Sequence, residues 1–577
     1  MLHDAIEVIM KPELYKIILI ALAGALPVAC DSMYGDAAER LNPKYLNPVY
    51  YAQSALSKKN RIGGTGSDAA RSLAICPDHG FVVAGYVTGD ADLDGDQAIG
   101  ASPETASGAS GGRDILISRF DRGHKLLWSK RLGGTGADEA YGAAVDPAGN
   151  IIIVASVYGA ADLNGDGIID ASPSRETPAA GVNGDSDIAI IKFSSKGELI
   201  WARRLGGLNH DEGFCVAVDR QNNVIVCGTV EGTADLNGDG DTADPSETQS
   251  GVYGLVDAFV AKLDSDGNTL WFKRIGGASN DGAKSAAADT SGNIIIGGHM
   301  IGNADLNGDG DTSDSYEVPT PDVNGASDAF VSVFGSDGNH VWSKRLGGVG
   351  SDQINAVASD SAGNVIVAGW VYQYGDLDGD SQLVNDYPEY SNTDFIGSSA
   401  FDNDDIFVSV FDSTGIPRWS RRMGGVEADS AMALAITFSD EIVVAGSING
   451  PADMTFNGDV DDIPVEQPSL EYLLDDVFIS IIIPDGSSSR MIKRIGGENN
   501  DYCYSVAADD YDSVFISGSD NIIIAGSVIG DAQIGGDTGY SAMYPDIITG
   551  SLIYGAEDMF AARIFLNSSI RRFFYLP

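Results

Sequence analysis

Two stretches of this chain carry acidic and amide side chains at alternating positions, with glycines between them. They read ADLNGDGDTADPSE (residues 234–247) and ADLNGDGDTSDSYE (residues 304–317) and are nearly identical. Calcium binds six to eight hard oxygens, and alternate residues of a tightly turning loop can direct their side-chain oxygens to one point. Glycine permits the positive φ that such a turn requires. The two stretches therefore predict calcium-binding loops.

The pattern recurs elsewhere, so the sequence predicts five candidate calcium loops, which we call acidic loops 1 to 5. Their candidate ligands are, in order, Asp92, Asp94 and Asp96; Asp162, Asn164, Asp166 and Asp170; Asp235, Asn237, Asp239 and Asp241; Asp305, Asn307, Asp309 and Asp311; and Asp376, Asp378 and Asp380. Loops 1 and 5 lack the glycine that follows the third acidic position. Glu104, Glu247 and Glu317 lie at the thirteenth position of their loops and could each add a late ligand. The alternative is that Asp and Asn only form side-chain turns with their own backbone.

The composition is strongly acidic. The 577 residues include 83 Asp and Glu against 35 Lys and Arg, which gives a formal charge of −48. Binding to nucleic acid needs a basic face, so we expect no nucleic-acid partner. Bound divalent ions would relieve part of the self-repulsion. Five Ca²⁺ ions would add ten charges and change −48 only to −38, so a high-salt habitat stays an alternative explanation of the acidity.

The acidic loops belong to a repeat that runs through most of the chain. A pattern close to W-x-[KR]-R-[IL]-G-G recurs with its arginine at positions 61, 131, 204, 274, 345, 422 and 494. An aspartate follows each arginine at the seventh position, and a second aspartate opens an apolar segment in every unit. The first series is Asp68, Asp138, Asp211, Asp281, Asp352, Asp429 and Asp501, and the second is Asp114, Asp187, Asp257, Asp328, Asp405, Asp476 and Asp558. The chain is therefore built from seven copies of one design.

Each unit is predicted to contain four antiparallel strands. In the second unit, EAYGAAVD and NIIIVASVYG flank the turn PAGN, and the β-branched run is typical of a strand covered on both faces. DIAIIKFS and LIWARRL then form a hairpin across SKGE. Seven such units without helical periodicity predict an all-β fold, a single seven-bladed β-propeller. Residues 54–64 predict an N-terminal strand that closes the last blade, and the C-terminal SSIRRFFYLP is the alternative closing strand.

The repeat resembles a known family. DAFVAKLDSDGNTLWFKRIGG (residues 257–277) and DTSGNIIIGG (residues 289–298) resemble the SBBP repeat of bacterial extracellular seven-bladed propellers. The resemblance covers residues from about 54 to 565 and implies a secreted or cell-surface propeller without an established enzymatic activity. The acidic loops resemble the calcium loops of dockerins and integrin α-subunit propellers, but they lack the glutamate at position 12 of an EF-hand.

The N-terminus is predicted to be an export signal. A start at Met10 gives a charged segment, followed by IILIALAGALPVA, an apolar core too short to span a membrane. Residues 1–29 are thus a predicted signal peptide, residues 30–53 a linker and residues 54–577 the propeller. Cys30 lies where a lipid-anchored cysteine would, so free secretion and lipid anchoring both stay open. We expect no transmembrane span after this segment.

Other residues leave structural and functional alternatives. Cys215 and Cys227 could form a cross-strand disulfide or be two buried apolar side chains. The aspartate series could ring the axis or fix the backbone by hydrogen bonds, and the repeated tryptophans are expected to pack between blades. The Lys-Arg pairs are expected to balance acidic surface charge. His79, His210 and His299 are the candidates for an acid or base.

Three functions remain open at this point. The first is a calcium-stabilised, non-catalytic scaffold that binds a protein or glycan through its loop-rich face. The second is an extracellular hydrolase or lyase with a pocket at the central axis, and the third is a structural surface-layer component. The sequence has no HExxH motif, no Cys/His constellation and no phosphate-binding loop, so it does not favour the hydrolase or lyase.

Overall fold

The computed structural model describes most of the repeat region. The described residues are 52–53, 62–64, 66–93, 99–100, 104, 111–123, 125–170, 176–177, 184–244, 247–248, 252–318, 325–373, 375–380, 403–425, 427–450, 452–454, 474–497, 500–509, 521–528, 532–533, 547–548 and 558–565. They belong to one compact unit, Ala52–Asn567. The predicted signal peptide, Cys30, most of the linker and the C-terminal SSIRRFFYLP lie outside the described residues, as do Asp94 and Asp96.

The described secondary structure consists of β-strands. The strands of the first half are β1 (Ala52–Gln53), β2 (Gly63–Gly64), β3 (Ala69–Ile75), β4 (Phe81–Thr88), β5 (Ala91–Asp92), β6 (Arg113–Phe120), β7 (Leu126–Gly134), β8 (Glu139–Val145), β9 (Ile151–Tyr158), β10 (Ala161–Asp162), β11 (Ser186–Phe193), β12 (Leu199–Gly207), β13 (Glu212–Val218), β14 (Val224–Glu231), β15 (Ala234–Asp235), β16 (Val256–Leu263) and β17 (Thr269–Gly277).

The second half continues the same order. Its strands are β18 (Gly282–Ala288), β19 (Ile294–Met300), β20 (Ala304–Asp305), β21 (Asp328–Phe334), β22 (His340–Gly348), β23 (Asp352–Ser359), β24 (Val365–Tyr372), β25 (Gly375–Asp376), β26 (Asp404–Phe411), β27 (Pro417–Gly425), β28 (Ser430–Ile436), β29 (Ile442–Ile448), β30 (Ala452–Asp453), β31 (Asp476–Ile482), β32 (Ser489–Gly497), β33 (Tyr502–Asp509), β34 (Asn521–Val528), β35 (Ala532–Gln533), β36 (Ile547–Ile548) and β37 (Asp558–Phe565).

Four long antiparallel strands form each of blades 1 to 6, and blade 7 is completed from the N-terminus. Blades 1 to 6 are β3-β4-β6-β7, β8-β9-β11-β12, β13-β14-β16-β17, β18-β19-β21-β22, β23-β24-β26-β27 and β28-β29-β31-β32. In blade 7, β33, β34 and β37 are joined by β1, with Ala52 opposite Ile564, and by a bridge between Ile62 and Met559. The predicted all-β, seven-bladed propeller with N-terminal closure is confirmed.

The first strand of each blade lies at the centre of the ring. β3, β8, β13, β18, β23, β28 and β33 each contact the next in order, and β33 contacts β3. The hydrophobic core lies between adjacent blades. Between blades 1 and 2, for example, Val82 and Ile117 pack with Ile151 and Ile191, all fully buried. The apolar strands are therefore covered on both faces, as their sequences predict.

A glycine pair extends each outer strand into the following blade. In β17, Gly276 and Gly277 pair with Asp305 and Ala304 of β20, which begins acidic loop 4. A Cβ on Gly277 would lie 2.1 Å from the carbonyl oxygen of Asn303, so a side chain does not fit. Gly276 has φ of 148° and its Cβ would meet the carboxylates of Asp257 and Asp281. The glycine pair is thus required for attaching each loop to the preceding blade.

The long loops share one face of the disc with the connections between blades. The amide of Asp211, at the start of blade 3, donates to the carbonyl oxygen of Ser186, which starts the third strand of blade 2, at 3.0 Å. Equivalent bonds join Asp281 to Val256 and Asp352 to Ser327. We call this side, on which the acidic loops also begin, the loop-rich face.

The repeated tryptophans pack between blades, as predicted. The indole Nε1 of Trp271 in blade 3 donates to the carbonyl oxygen of Ser336 in blade 4 at 3.1 Å. A Cβ on Gly338 would lie 2.9 Å from the same indole, which explains the glycine in that turn. Trp128, Trp201, Trp342 and Trp419 make the same bond to the next blade.

Candidate functional site

Each acidic loop starts from a buried aspartate in its two-residue strand. Asp92, Asp162, Asp235, Asp305 and Asp376 are each at most 3% exposed. The strand pairing with the preceding glycine pair fixes the backbone at this residue. The first predicted ligand is therefore placed identically in all five loops.

The first aspartate organises the turn that follows it. In loop 4, Oδ1 of Asp305 accepts the amides of Asn307 and Gly308 at 3.1 and 2.5 Å, and Oδ2 accepts the amide of Gly310 at 2.7 Å. Asp162 and Asp235 accept the corresponding glycine amides in loops 2 and 3. These bonds are the side-chain turns that the alternative interpretation anticipated.

The later positions of loops 2 to 4 form a chain of short turns. In loop 4, Oδ1 of Asn307 accepts the amide of Asp309 at 2.8 Å, and Oδ1 of Asp309 accepts the amide of Asp311 at 3.0 Å. The amide nitrogen of Asn307 donates to Asp309 and Asp314 at 3.1 and 3.0 Å. The asparagine thus separates the carboxylates and is itself a donor to them.

Loop 5 brings its three aspartates closest together. Carboxylate oxygens of Asp376, Asp378 and Asp380 lie within 4.8 Å of one another, the one such group found among the described residues. Asp376 is buried and Asp380 is exposed, so the cluster opens to solvent. Burial and the neighbouring charge of Asp380 raise the pKa of Asp378 above its ordinary value. Three carboxylate oxygens at a solvent-exposed position form a donor set that fits calcium.

Burial also affects the carboxylates of the other loops. It raises the pKa of Asp162, Asp235 and Asp305, against the lowering effect of the amides that donate to them. Burial raises the pKa of Glu317 to about 7. A bound cation would favour the ionised form of each of these groups.

Three of the loops are each contacted by a lysine from the preceding blade. The ammonium of Lys344 donates to the carbonyl oxygen of Gly379 in loop 5 at 2.9 Å, and Lys130 and Lys273 do the same in loops 2 and 4. These ammonium groups offset part of the negative charge without any bound ion. Sequence reasoning placed the lysines on the acidic surface in general, and the structure assigns them to individual loops.

The late glutamates hold the loops closed. Both carboxylate oxygens of Glu317 accept loop amides, from Leu306 at 3.1 Å and Asp314 at 3.0 Å. Glu247 does the same with Leu236 and Asp244. Glu176 has this role in loop 2, where two extra residues move it to the fifteenth position, and sequence reasoning missed it. An allowance for an insertion between the turn and the glutamate would have found it.

The two aspartate series are structural. Asp211 accepts the amides of Gly207 and Glu231 at 2.5 and 2.9 Å, so the first series fixes the backbone at the blade junction, as one alternative predicted. In blades 1 to 6, the second series forms buried ion pairs with the arginines of the repeat, such as Asp257 with Arg274 at 2.6 Å. The expectation that the Lys-Arg pairs balance surface charge is wrong for these arginines, because Arg274 is fully buried.

The three histidines lie in different places. His79 contacts Asp509 at 2.9 Å, in the turn between β3 and β4. His210 contacts Ser186 and Tyr158 through its two ring nitrogens, each at 3.0 Å. Nδ1 of His299 is buried without a hydrogen-bond partner, and burial lowers the pKa of this imidazole to about 4.

The paired cysteines are not bonded to each other. Cys215 and Cys227 lie opposite one another in β13 and β14, and both are free thiols. Cys215 Sγ accepts the amide of Ala286 in the next blade at 3.2 Å. Of the two alternatives, the disulfide is wrong, and the thiols are small side chains that pack between strands.

Every inner strand contains a β-bulge, which the sequence did not predict. In β13 the pairing steps from Gly213 opposite Gly228 to Cys215 opposite Cys227, so Phe214 is the extra residue. The extra residues of the seven inner strands are Arg71, Tyr141, Phe214, Lys284, Asn355, Met432 and Tyr504. We call them the bulge residues. Most strand positions repeat from unit to unit, but these differ in every blade except for the two tyrosines.

The chain is similar to two curated proteins over part of its length. It is 24% identical over 306 residues to an uncharacterized WD repeat-containing protein, L264, of Acanthamoeba polyphaga mimivirus. It is 28% identical over 276 residues to the regulatory protein FlaEY of Caulobacter vibrioides. These regions are 49% and 47% of this chain but only 21% and 24% of the two relatives. The class of protein is therefore a seven-bladed β-propeller with WD-repeat-like relatives at low identity.

Comparison with family models and solved structures adds no closer assignment. No protein-family model matches the chain, so the resemblance to the SBBP repeat stays a prediction. Sqt1 from Chaetomium thermophilum aligns with 83% of this chain and 82% of its own, at 10% identity and a TM-score of 0.37. Puromycin hydrolase aligns with 84% of this chain and 53% of its own, at 11% identity and a TM-score of 0.36.

Proposed function

We propose that this protein is an exported, calcium-binding β-propeller that acts as a non-catalytic scaffold and binds a protein or glycan through its loop-rich face. The observation that carries the proposal is the placement of the acidic loops. Each described loop starts from a buried aspartate on the same face, attached to the preceding blade by the glycine pair. Long loops on a rigid scaffold are where binding residues concentrate.

Calcium would act in this scaffold as a structural ion. Asp376, Asp378 and Asp380 would hold it in loop 5, where their oxygens already lie within 4.8 Å. In loops 2 to 4, the outer acids Asp166, Asp239 and Asp309 would supply most of the oxygens, because they are exposed to solvent whereas the first aspartate is buried under backbone amides. Surface loops of this type bind calcium weakly, with dissociation constants of about 10⁻⁴ to 10⁻³ M, which suits extracellular concentrations.

Export is supported by the N-terminal sequence and by the SBBP resemblance. The segment IILIALAGALPVA has the length and hydropathy of a signal-peptide core. Within the described residues we find no helix with the length and apolar character that crossing a membrane requires. The mature protein is either freely secreted or anchored by a lipid on Cys30. Mass analysis of the mature N-terminus distinguishes these two forms.

A thermal melt with and without chelator tests calcium binding. We expect calcium to raise the melting temperature by several degrees over the chelated protein, because an ion that binds only the folded loops stabilises the native state. The double variant Asp378→Asn, Asp380→Asn removes two loop 5 ligands and should lose part of this shift. Glu198→Gln, which removes one exposed charge from a turn on the opposite face, is the matched control and should keep it. An identical melt in calcium and chelator would reject calcium as the structural ion.

The binding role is tested separately with a glycan array and with immobilised candidate proteins, each in calcium and in chelator. We expect retention of at least one ligand in calcium and weaker retention in chelator, since the loops would lose order. Retention that is unaffected by changes in loops 2 to 5 would place the binding surface elsewhere.

A further inference from the structure

The bulge residues form a shared surface at the axis, on the inner side of the ring. Tyr141 and Phe214, from neighbouring inner strands, have ring centroids 5.4 Å apart. The ammonium of Lys284 lies 3.8 Å from the Phe214 ring, and the guanidinium of Arg71 lies 4.5 Å from the Tyr504 ring. The inner strands surround the axis, so half-buried side chains that meet between successive inner strands lie close to that axis.

Charge distinguishes this surface from the rest of the molecule. The bulge residues include two cations, Arg71 and Lys284, and no acid, in a chain of formal charge −48. Glu139 lies beside them, but it is bonded to Arg113 and lies 3.9 Å from Arg71. A cationic surface beside aromatic rings suits an anionic ligand with an apolar or ring-shaped body.

Lys284 is the exception among the buried and half-buried lysines of the described residues. Lys192 and Lys262 form ion pairs with Asp146 and Asp219 at 3.0 and 2.9 Å. The lysines of blades 1, 3 and 4 that face the acidic loops donate to loop carbonyls. The ammonium of Lys284 has only the face of Phe214, with no hydrogen bond to a described residue.

The surroundings of Lys284 compensate its charge only in part. Burial lowers its pKa, and the negative charge of Glu212 offsets only part of that effect. His299, on the strand paired with β18, has its Nδ1 buried without a partner. In one blade, a buried imidazole nitrogen without a hydrogen-bond partner lies on the strand next to an ammonium whose contact among the described residues is a ring face, which indicates a place where a ligand supplies the missing polar contacts.

We propose that the axial surface around Lys284 binds an organic carboxylate with a ring-sized body, with the carboxylate on the Lys284 ammonium and the ring against Phe214 and Tyr141. A sugar acid and an aromatic carboxylate share this chemistry. This axial site is separate from the calcium-binding loops and does not require calcium, because none of its residues belongs to an acidic loop.

Calorimetric titration of the full chain tests the site. The probes are glucuronate and benzoate, with glucose and benzyl alcohol as their uncharged counterparts. We expect one or both carboxylates to bind at least about tenfold more tightly than the uncharged partner, a difference of about 1.4 kcal/mol. The stronger of the two identifies the ligand body as a sugar or an aromatic ring. Equal binding of charged and uncharged probes, or no binding of either carboxylate, overturns the site.

Variants assign the binding to Lys284. Lys284→Met, which keeps the length and removes the charge, should weaken carboxylate binding at least about tenfold. Lys196→Met removes an exposed lysine from the turn between β11 and β12 and should leave the affinity unchanged. Equal effects of the two substitutions overturn the assignment. Each titration is run in calcium and in chelator, so that failure of the calcium proposal and failure of the axial site give different results.

A measurement on the unsubstituted protein covers the case in which Lys284→Met does not fold. A small amine-reactive reagent is applied with and without the carboxylate, and modification of each lysine is read by mass spectrometry. We expect the carboxylate to protect Lys284 and to leave the exposed Lys125 unprotected. Equal modification of Lys284 in both conditions rejects direct contact.

Discussion

At the scale of single residues, the buried ion pair between the repeat arginine and the strand-opening aspartate is the most demanding contact. Arg274 donates from Nε and Nη2 to Oδ2 of Asp257 at 3.0 and 2.6 Å, and from Nη1 to the carbonyl oxygen of Gly232 at 2.5 Å. Both side chains are fully buried. Each charge is tolerated in the interior only because the other is present.

Arg274→Met is therefore expected to lower the free energy of unfolding by about 3 to 5 kcal/mol, because it leaves Asp257 buried without its cation. The double variant Arg274→Met, Asp257→Leu removes both charges and should recover much of that loss. Chemical denaturation followed by tryptophan fluorescence measures both. Lys196→Met, at an exposed turn position, controls for removal of one positive charge and should change stability by less than about 0.5 kcal/mol. If the double variant is as unstable as the single one, the uncompensated charge is not the cause.

At the scale of elements, the glycine pair joins an outer strand to the acidic loop of the next blade. Gly277 pairs with Ala304, and the carboxylate of Asp281 accepts the amide of Gly277 at 2.6 Å. The order of loop 4 thus depends on a strand that belongs to another blade. The same pairing explains why the sequence keeps two glycines, with an aspartate four residues after the second, in every unit.

Gly277→Ala should detach loop 4 from blade 3, because the added Cβ would lie 2.1 Å from the carbonyl oxygen of Asn303. Forced repacking of this kind costs about 1 to 3 kcal/mol. We expect faster proteolytic cleavage in residues 306–318, read by mass spectrometry, and a lower melting temperature. Gly112→Ala is the control, because its Cβ would have only ordinary contacts at 3.6 and 4.0 Å. Cleavage of loop 4 at the unsubstituted rate would show that the pairing does not hold it.

At the scale of the whole molecule, buried aspartates at the blade junctions and at the start of the third strand of blade 5 make stability depend on pH. Burial raises the pKa of Asp138 to about 6, that of Asp211, Asp281 and Asp352 to about 7, and that of Asp405 to about 8. In the unfolded chain these groups return to the ordinary aspartate value near 4. The folded protein therefore binds more protons than the unfolded chain between about pH 4 and pH 8.

The sign of this linkage predicts higher stability at mildly acidic pH. The contribution of the raised aspartates is complete below their unfolded pKa and is lost as the pH rises through 6 to 8. Melting temperatures at constant ionic strength should consequently rise from pH 8 to pH 5, and relief of the overall negative charge acts in the same direction. Asp211→Asn removes one of the titrating groups and should reduce the slope. A melting temperature that falls steadily from pH 8 to pH 5 would contradict the linkage.

The sequence predicted the fold because short local patterns in each repeat specify its strands. The β-branched run before Tyr158 and the hairpin that ends at Gly207 each specify a strand within about ten residues, and seven copies in phase specify a ring. The packing of tryptophans between blades followed from the same periodicity, which gave the structural role of the first aspartate series only as one of two alternatives. These features depend on neighbours in the chain or on the next copy of the same unit.

Only the tertiary structure decided which of the charged residues are free to bind. The sequence could not show that Glu317 accepts two loop amides, that Arg274 is buried against Asp257, or that the Lys284 ammonium lies against the Phe214 ring. Those outcomes depend on contacts between residues far apart in sequence and on a bulge that turns one inner-strand side chain toward the axis. The repeated sequence thus determined the scaffold. Which charged groups remain available at its surface was decided by burial and by closure of the ring, because only the assembled blades determine which polar groups are removed from water.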